Sequence, residues 1–138
     1  EKSLKITKTN VDGTHYRYQR IPNLKSNQEY TLSAYIKTSG LDSNGANIWA
    51  NYTGTDGVKK RFYSRIVSGT SDWQRVEVTF KLPDGITTAD IVFGCRGIGT
   101  AYFDSFQLEE GMVANKYNLI ENPDFTFENK YKWVSIFE

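Results

Sequence analysis

The fold is decided by the stretch Gly99-Thr-Ala-Tyr-Phe-Asp-Ser-Phe-Gln-Leu-Glu-Glu-Gly111. After a glycine turn, every second residue has the same parity and is expected on the same face of the chain: Tyr102, Asp104, Phe106 and Leu108. Alternation with a period of two residues predicts a half-buried β-strand, which ends at Glu-Glu-Gly. Asp104 is unusual because a carboxylate on the apolar parity is costly unless it is hydrogen-bonded, paired or bound to a cation.

Seven further segments are predicted to be strands, separated by turns rich in Gly, Asp and Asn. They are Ser3–Thr9, His15–Ile21, Tyr30–Thr38, Asn47–Thr53, Lys59–Val67, Trp73–Leu82 and Ala89–Cys95. Residues 39–45, Ser-Gly-Leu-Asp-Ser-Asn-Gly, are predicted to be a flexible loop. No segment has a sustained helical period. The pattern predicts an all-β fold, an antiparallel two-sheet β-sandwich of about eight to nine strands.

The composition argues against several classes of function. The 138 residues suffice for one domain with a sizeable core, and 17 basic side chains stand against 16 acidic ones. Because no basic run stands out, a nucleic-acid partner is not expected. No apolar segment approaches the roughly 18 residues that membrane insertion needs. The single Cys95 is expected to be a buried hydrophobe. No catalytic motif or spacing is present, so an enzyme is not expected.

The opening stretch also carries a family resemblance. Gly-x-Ala-Tyr-Phe-Asp-x-x-Gln-Leu-Glu-Glu-Gly is similar to the last strand of jelly-roll carbohydrate-binding modules of the four, nine and twenty-two type, which are galactose-binding-like. Tyr30–Lys37 and Trp73–Phe80 match as well. With residues 114–122, Ala-Asn-Lys-Tyr-Asn-Leu-Ile-Glu-Asn, the set most resembles modules of large wall-associated bacterial proteins with Rhs or YD repeats. The resemblance covers roughly residues 1–125.

This resemblance implies a jelly roll that binds a polysaccharide or glycan without catalysis. It also implies a location at the bacterial cell surface or cell wall, outside the cell, among adjacent modules of the same polypeptide. The alternative function is a structural spacer or protein-contact module that has kept the fold and lost the sugar site.

An outward-facing set of side chains is the candidate carbohydrate site, since a sandwich buries one parity of each strand and exposes the other. Sugars pack their C–H faces against aromatic rings, and their hydroxyls need hydrogen-bond donors and acceptors. The expected aromatic platforms are Trp49, Tyr35 and Tyr63, and the expected hydrogen-bonding residues are Asn51, Arg65 and Glu77. The alternative is a solvated face stabilised by ordinary cross-strand pairs.

Neither parity of the segment His15–Ile21 is apolar, so it is predicted to lie at an edge or partly inside a cleft. Either Arg17 and Gln19 or Tyr16 and Tyr18 are expected to contribute to a binding groove. A solvated edge strand without a ligand is the alternative.

Asp104 has a second interpretation that comes from the resemblance. Related modules hold a structural calcium with an aspartate of the last strand and an acidic residue of an N-terminal Asn-x-x-Phe-Glu motif. That motif is absent from the front of this chain, and Asp124 and Glu128 are the nearest substitutes. The resemblance thus implies a structural calcium at Asp104, with no cofactor required for function. The alternative is a carboxylate that is only hydrogen-bonded or solvated.

The sequence is interpreted as two parts. Residues 1–111 are expected to form a jelly-roll carbohydrate-binding-like module that lacks its first strand. Residues 112–138 are expected to be a linker and the opening strand of a following module. The segment Leu119–Phe127 is predicted to fill the vacant place, either by folding back within its own chain or by forming a strand-swapped dimer.

Overall fold

The computed structural model describes residues 3–10 and 13–111, and the backbone of residues 134–137. It contains the strands β1 (Leu4–Lys8), β2 (His15–Ile21), β3 (Glu29–Thr53), β4 (Lys59–Tyr63), β5 (Val67–Lys81), β6 (Ala89–Cys95), β7 (Gly99–Glu110) and β8 (Val134–Phe137). Every pairing among them is antiparallel. The predicted all-β antiparallel class is confirmed. Within the described ranges no helix has the length and hydropathy to cross a membrane.

All strands belong to one hydrogen-bonded sheet because β3 runs through both of its halves. Residues 29–39 of β3 pair with β5 and β7, and β1 extends this half beyond β7. We refer to it as the β7 half. Residues 46–53 of β3 pair with β4 and β6, and β2 and β8 continue beyond β6. We refer to this second part as the β6 half.

The predicted flexible loop at residues 39–45 is wrong, because β3 continues through it. The pairing of β3 with β5 changes register three times between Ile36 and Ala46. Register shifts of this kind bend a strand without ending its pairing. The bend turns the chain from the β7 half into the β6 half, so the two halves are joined through β3 instead of being separate sheets.

The apolar core lies between the two halves. Phe93 of β6 contacts both Phe103 and Phe106 of β7, with ring centroids 4.8 Å apart in each pair. Phe62 of β4 and Phe80 of β5 make a second contact across the core, at 6.1 Å. The inward parity predicted for β3 and β5 is confirmed. The predicted inward-facing residues that are no more than 3% exposed are Leu32, Ala34, Ile36, Ile48, Ala50, Val76 and Phe80.

A bulge in β7 decides which of its residues face the core. Between Gln107 and Asp104, β7 contains one residue more than the segment of β3 with which it pairs. Ser105 has a positive φ of 54°, and its N–H donates to Asp104 Oδ1 at 2.8 Å. Both Phe103 and Phe106 are therefore buried although they are three residues apart. The expectation that Asp104 lies on the apolar parity is wrong, because the bulge turns its side chain to the outer face.

Candidate functional site

The outer face of the β6 half contains a cavity of about 330 Å³. This volume falls in the range of about 300–1,000 Å³ that is typical of small-molecule sites. Hereafter this cavity is the cleft. Its floor comes from β3 and β6, one wall comes from β4, and the opposite wall comes from β2. The lining side chains include Trp49, Asn51, Asp90 and Val92 of the floor, Lys59, Arg61 and Tyr63 of the β4 wall, Tyr16, Tyr18 and Arg20 of the β2 wall, and Arg96 after the end of β6.

Trp49 forms the centre of the floor and is only 5% exposed. Its ring centroid lies 6.0 Å from that of Tyr16 and 5.5 Å from that of Tyr63, and both pairs are tilted. The guanidinium of Arg96 lies 5.5 Å from the Trp49 ring and 5.4 Å from the Tyr63 ring, within cation–π distance of both. Gly94 leaves room for the indole, since a Cβ there would lie 2.7 Å from Trp49 Cη2.

An ion pair joins the floor to the neighbouring β2 wall. Arg20 Nε and Nη2 donate to Asp90 Oδ1 and Oδ2 at 2.9 and 3.2 Å. The hydrogen bond to Asp90 is the main reason why the pKa of Arg20 is raised. A second hollow of about 400 Å³ begins at this pair and at Asn51. It continues along β3 and β6 to Thr53 and the loop 85–88, so the cleft opens into a longer groove.

The structure brings together three of the predicted site residues. Trp49 and Tyr63 are directly paired across β3 and β4, and Asn51 is paired with Arg61 in the next row on the same face. Tyr63 is 46% exposed, as a platform must be. The expectation of an exposed Trp49 platform is wrong, because Tyr16, Tyr63 and Arg96 surround its ring.

Three residues of the predicted outward-facing set lie outside the cleft. Tyr35 and Glu77 sit on the outer face of the β7 half, because β3 passes from one half to the other between Tyr35 and the cleft. Glu77 is ion-paired there with Arg75, at 2.5 Å. Arg65 donates to Gln74 Oε1 at 2.8 Å and to the carbonyl oxygen of Arg75 at 3.0 Å. These bonds tie Arg65 to β5 instead of the cleft.

The choice that the sequence left open on β2 is decided by the strand's orientation. Tyr16 and Tyr18 line the cleft. Arg17 and Gln19 have the opposite parity and do not line it. Gln19 is 5% exposed, and burial lowers the pKa of Arg17.

Sequence reasoning missed most of the charged lining of the cleft. Lys59 and Arg61 share the parity of Tyr63 on β4, which is a signal that could have identified them. The pair of Arg20 with Asp90 depends on the register of two strands that lie 70 residues apart in the chain. Arg96 follows the end of β6, where no alternation predicts the direction of its side chain.

The predictions about calcium and about the C-terminal segment remain open. No group of three or more His, Cys, Asp or Glu side chains that could hold a metal occurs in the part of the chain that the structure describes. The substitutes Asp124 and Glu128 lie outside the described residues, and so does Leu119–Phe127. The C-terminal strand that the structure does describe, β8, pairs with β2 at the edge of the β6 half. The calcium at Asp104, the division into two parts and the strand-swapped dimer stay predictions.

Comparison with known families identifies the domain. The model of the carbohydrate binding domain family, of the CBM 4/9 type, matches residues 1–96. The chain belongs to this family. The match confirms the resemblance found in the sequence. A similar curated protein is the tRNA nuclease WapA of Bacillus subtilis strain 168, which is 31% identical over 88% of this chain. The chain spans about 6% of the length of the curated relatives it matches.

Solved structures of carbohydrate-binding modules share the fold. A structure described as Family 16 Carbohydrate Binding Module-2 has a TM-score of 0.61 at 20% identity, covering 77% of this chain and 74% of that one. The CBM22-1 xylan-binding domain of Xyn10C from Paenibacillus barcinonensis has a TM-score of 0.53 at 13% identity. That match covers 81% of this chain and 74% of the xylan-binding domain. At such identities the likeness concerns the fold alone.

Proposed function

We propose that this chain is a non-catalytic carbohydrate-binding module with a jelly-roll β-sandwich fold, and that the cleft is its glycan site. The observation that carries the proposal is the combination of an exposed Tyr63 ring with the buried amide of Asn51 in the neighbouring row. Tyr63 is 46% exposed beside the nearly buried Trp49, and Asn51 lies in the next row of the floor. Aromatic rings beside hydrogen-bonding side chains provide both the apolar area and the donors and acceptors that a sugar needs.

The two kinds of group have different roles in glycan binding. The ring of Tyr63, with Tyr16 and Tyr18 on the facing wall, offers apolar area to the C–H faces of a sugar. The amide of Asn51 provides both donors and an acceptor for sugar hydroxyls. The Arg20–Asp90 pair provides further donors and acceptors at the point where the cleft opens into the groove. A groove of this length favours an oligosaccharide segment as the ligand.

We also propose that the module belongs to a larger bacterial surface protein. The support is its similarity to the WapA proteins of Bacillus subtilis and Bacillus spizizenii, of which it matches a small part. Their names describe nucleases, whereas this chain matches a carbohydrate binding domain. The proposed role is therefore attachment to a glycan, with any catalysis performed by other parts of such a protein.

Replacing Tyr63 by Ala is expected to weaken glycan binding while Tyr35→Ala leaves it unchanged. The two tyrosines are matched, because they are 46% and 41% exposed and lie on opposite halves of the molecule. Loss of one stacked ring costs about 1–3 kcal/mol when nucleic-acid bases stack on aromatic side chains, and a similar scale is expected for sugars. Affinity electrophoresis through gels containing neutral and acidic polysaccharides measures the change.

Two results of this experiment would contradict the proposal. A loss of retention with Tyr35→Ala but not with Tyr63→Ala would place the site on the β7 half. If the unmodified chain is retained by no polysaccharide of either kind, the spacer or protein-contact function is the better account. A melting curve for each variant separates loss of binding from loss of folding.

A further inference from the structure

The charge of the cleft differs from that of the whole chain. The chain is nearly balanced, with 17 basic and 16 acidic side chains. Among the residues that line the cleft, by contrast, four cations stand against the single carboxylate of Asp90. The four cations are Arg20, Lys59, Arg61 and Arg96. Clefts lined by charges of one sign concentrate the electric field and raise the local concentration of oppositely charged ligands.

Only one of the four cations has a carboxylate partner among the described residues. Asp90 already forms two hydrogen bonds with Arg20. The other described ion pairs, Lys25–Glu110 and Arg75–Glu77, lie outside the cleft. Within the part of the chain that the structure describes, no carboxylate is ion-paired with the other three cations, and their mutual repulsion falls when an anion binds among them.

The positions of these three cations suit a chain-like ligand. Lys59 and Arg61 are two residues apart on the same face of β4, so their Cα atoms are separated by about 7 Å along the wall. Arg96 stands over the Trp49 and Tyr63 rings. Lys59, Arg61 and Tyr63 thus form one wall in which two successive cations are followed by an aromatic ring.

We propose that the ligand of the cleft is an anionic glycan, whose carboxylate or phosphate groups bind to Lys59, Arg61 and Arg96. This inference rests on the proposed function, because it names the class of glycan that the same site takes. Uronate and phosphodiester groups share the relevant chemistry, since both offer anionic oxygens to which guanidinium groups donate in bidentate geometry. The neutral part of the sugar packs against Tyr63.

A single-stranded nucleic acid is the competing polyanion, because basic grooves with aromatic rings also bind RNA. Such grooves offer several open ring faces on which successive bases stack. In this cleft Trp49 is 5% exposed and Tyr16 only half-buried beside it, whereas Tyr63 is exposed. One exposed ring, with the half-buried Tyr16 and Tyr18 on the facing wall, fits a sugar better than a run of stacked bases.

The test compares the retention of the 138-residue chain by four probes at low and moderate salt. The probes are neutral xylan, polygalacturonate, poly(glycerol phosphate) and poly(U). We expect polygalacturonate and poly(glycerol phosphate) to bind more tightly than xylan. Their affinity is expected to fall as the salt concentration rises. The polygalacturonate and poly(glycerol phosphate) arms show whether carboxylate or phosphate is preferred.

Two lysines of β4 provide matched variants. Lys59 lines the cleft, whereas the neighbouring Lys60 has the opposite parity and does not. Lys59→Gln is expected to weaken binding of the acidic polymer about tenfold, the scale of one hydrogen bond to a charged group, while Lys60→Gln leaves it unchanged. A combined Lys59→Gln and Arg61→Gln variant is expected to lose more.

Each other outcome overturns the inference in a distinct way. Equal binding of xylan and acidic polymers, insensitive to Lys59→Gln, overturns the anionic ligand but leaves the proposed function standing. Tighter binding of poly(U) than of any polysaccharide assigns the cleft to RNA. No retention by any of the three non-RNA polymers removes the inference together with the proposed function.

Discussion

Replacing Phe93 by Ala is expected to lower the free energy of unfolding by about 3–5 kcal/mol, the usual cost of removing a buried aromatic ring. Phe93 is fully buried and contacts Phe103 and Phe106 of the opposite half at 4.8 Å. The cavity left by its ring would lie between the two halves, where it removes contacts from both. Domains are stable by only about 5–15 kcal/mol, so this change consumes a large part of the total.

Urea denaturation followed by circular dichroism measures the effect. Phe93→Leu is expected to cost less, because it fills part of the cavity. Tyr102→Ala serves as the control, since Tyr102 lies on the outer face of β7 and is only partly buried. A loss below about 0.5 kcal/mol for Phe93→Ala, within the range of surface substitutions, would show that the two halves do not pack through this cluster.

Replacing Gly94 by Ala is expected to act on the cleft instead of the core. An added Cβ would lie 2.7 and 2.9 Å from Trp49 Cη2 and Cζ3. The backbone accepts the change, because Gly94 has no positive φ. The indole must therefore move, which disturbs its contacts with Tyr16, Tyr63 and Arg96. Glycan affinity is expected to fall by at least the roughly 1–3 kcal/mol of one stacked ring.

A second substitution tests whether this steric contact is the cause. Trp49→Phe removes the two ring atoms that the new methyl group would meet. The double variant Gly94→Ala with Trp49→Phe is therefore expected to bind glycan more tightly than Gly94→Ala alone. Trp49→Phe by itself is the reference for the loss of indole area. Unchanged affinity in Gly94→Ala would contradict the position of the indole against Gly94, and an additive loss in the double variant would contradict the mechanism.

The core could be predicted from the sequence because alternation along a strand is a local property. Parity alone assigns Leu32, Ile36 and Val76 to the core, and all three are buried. Parity fails where a bulge adds a residue. The positive φ of Ser105 reverses the alternation of β7, and nothing in the neighbouring residue types indicates it.

The site was predictable only where its contacts are local. Trp49 and Tyr63 are paired across two strands that a short turn connects, so their common face follows from the alternation of both strands. Alternation places Tyr35 on that face only if β3 is interpreted as two strands with equivalent outer faces. In the structure the bend of β3 places the two outer faces on different halves. The partnership of Arg20 with Asp90 requires the register of β2 and β6, which no local pattern contains.

The most direct test of the cleft as the glycan site uses the indole N–H signals of the three tryptophans. Trp49 lies in the floor of the cleft, Trp73 is 38% exposed on β5, and Trp133 lies outside the described residues. Single Trp→Phe variants assign the three signals in a proton–nitrogen correlation spectrum. The chain is then titrated with oligosaccharides from the polysaccharide that retains it best. The account predicts that the Trp49 signal shifts with saturation while the Trp73 signal stays in place; a shift of Trp73 with no change at Trp49 would contradict it.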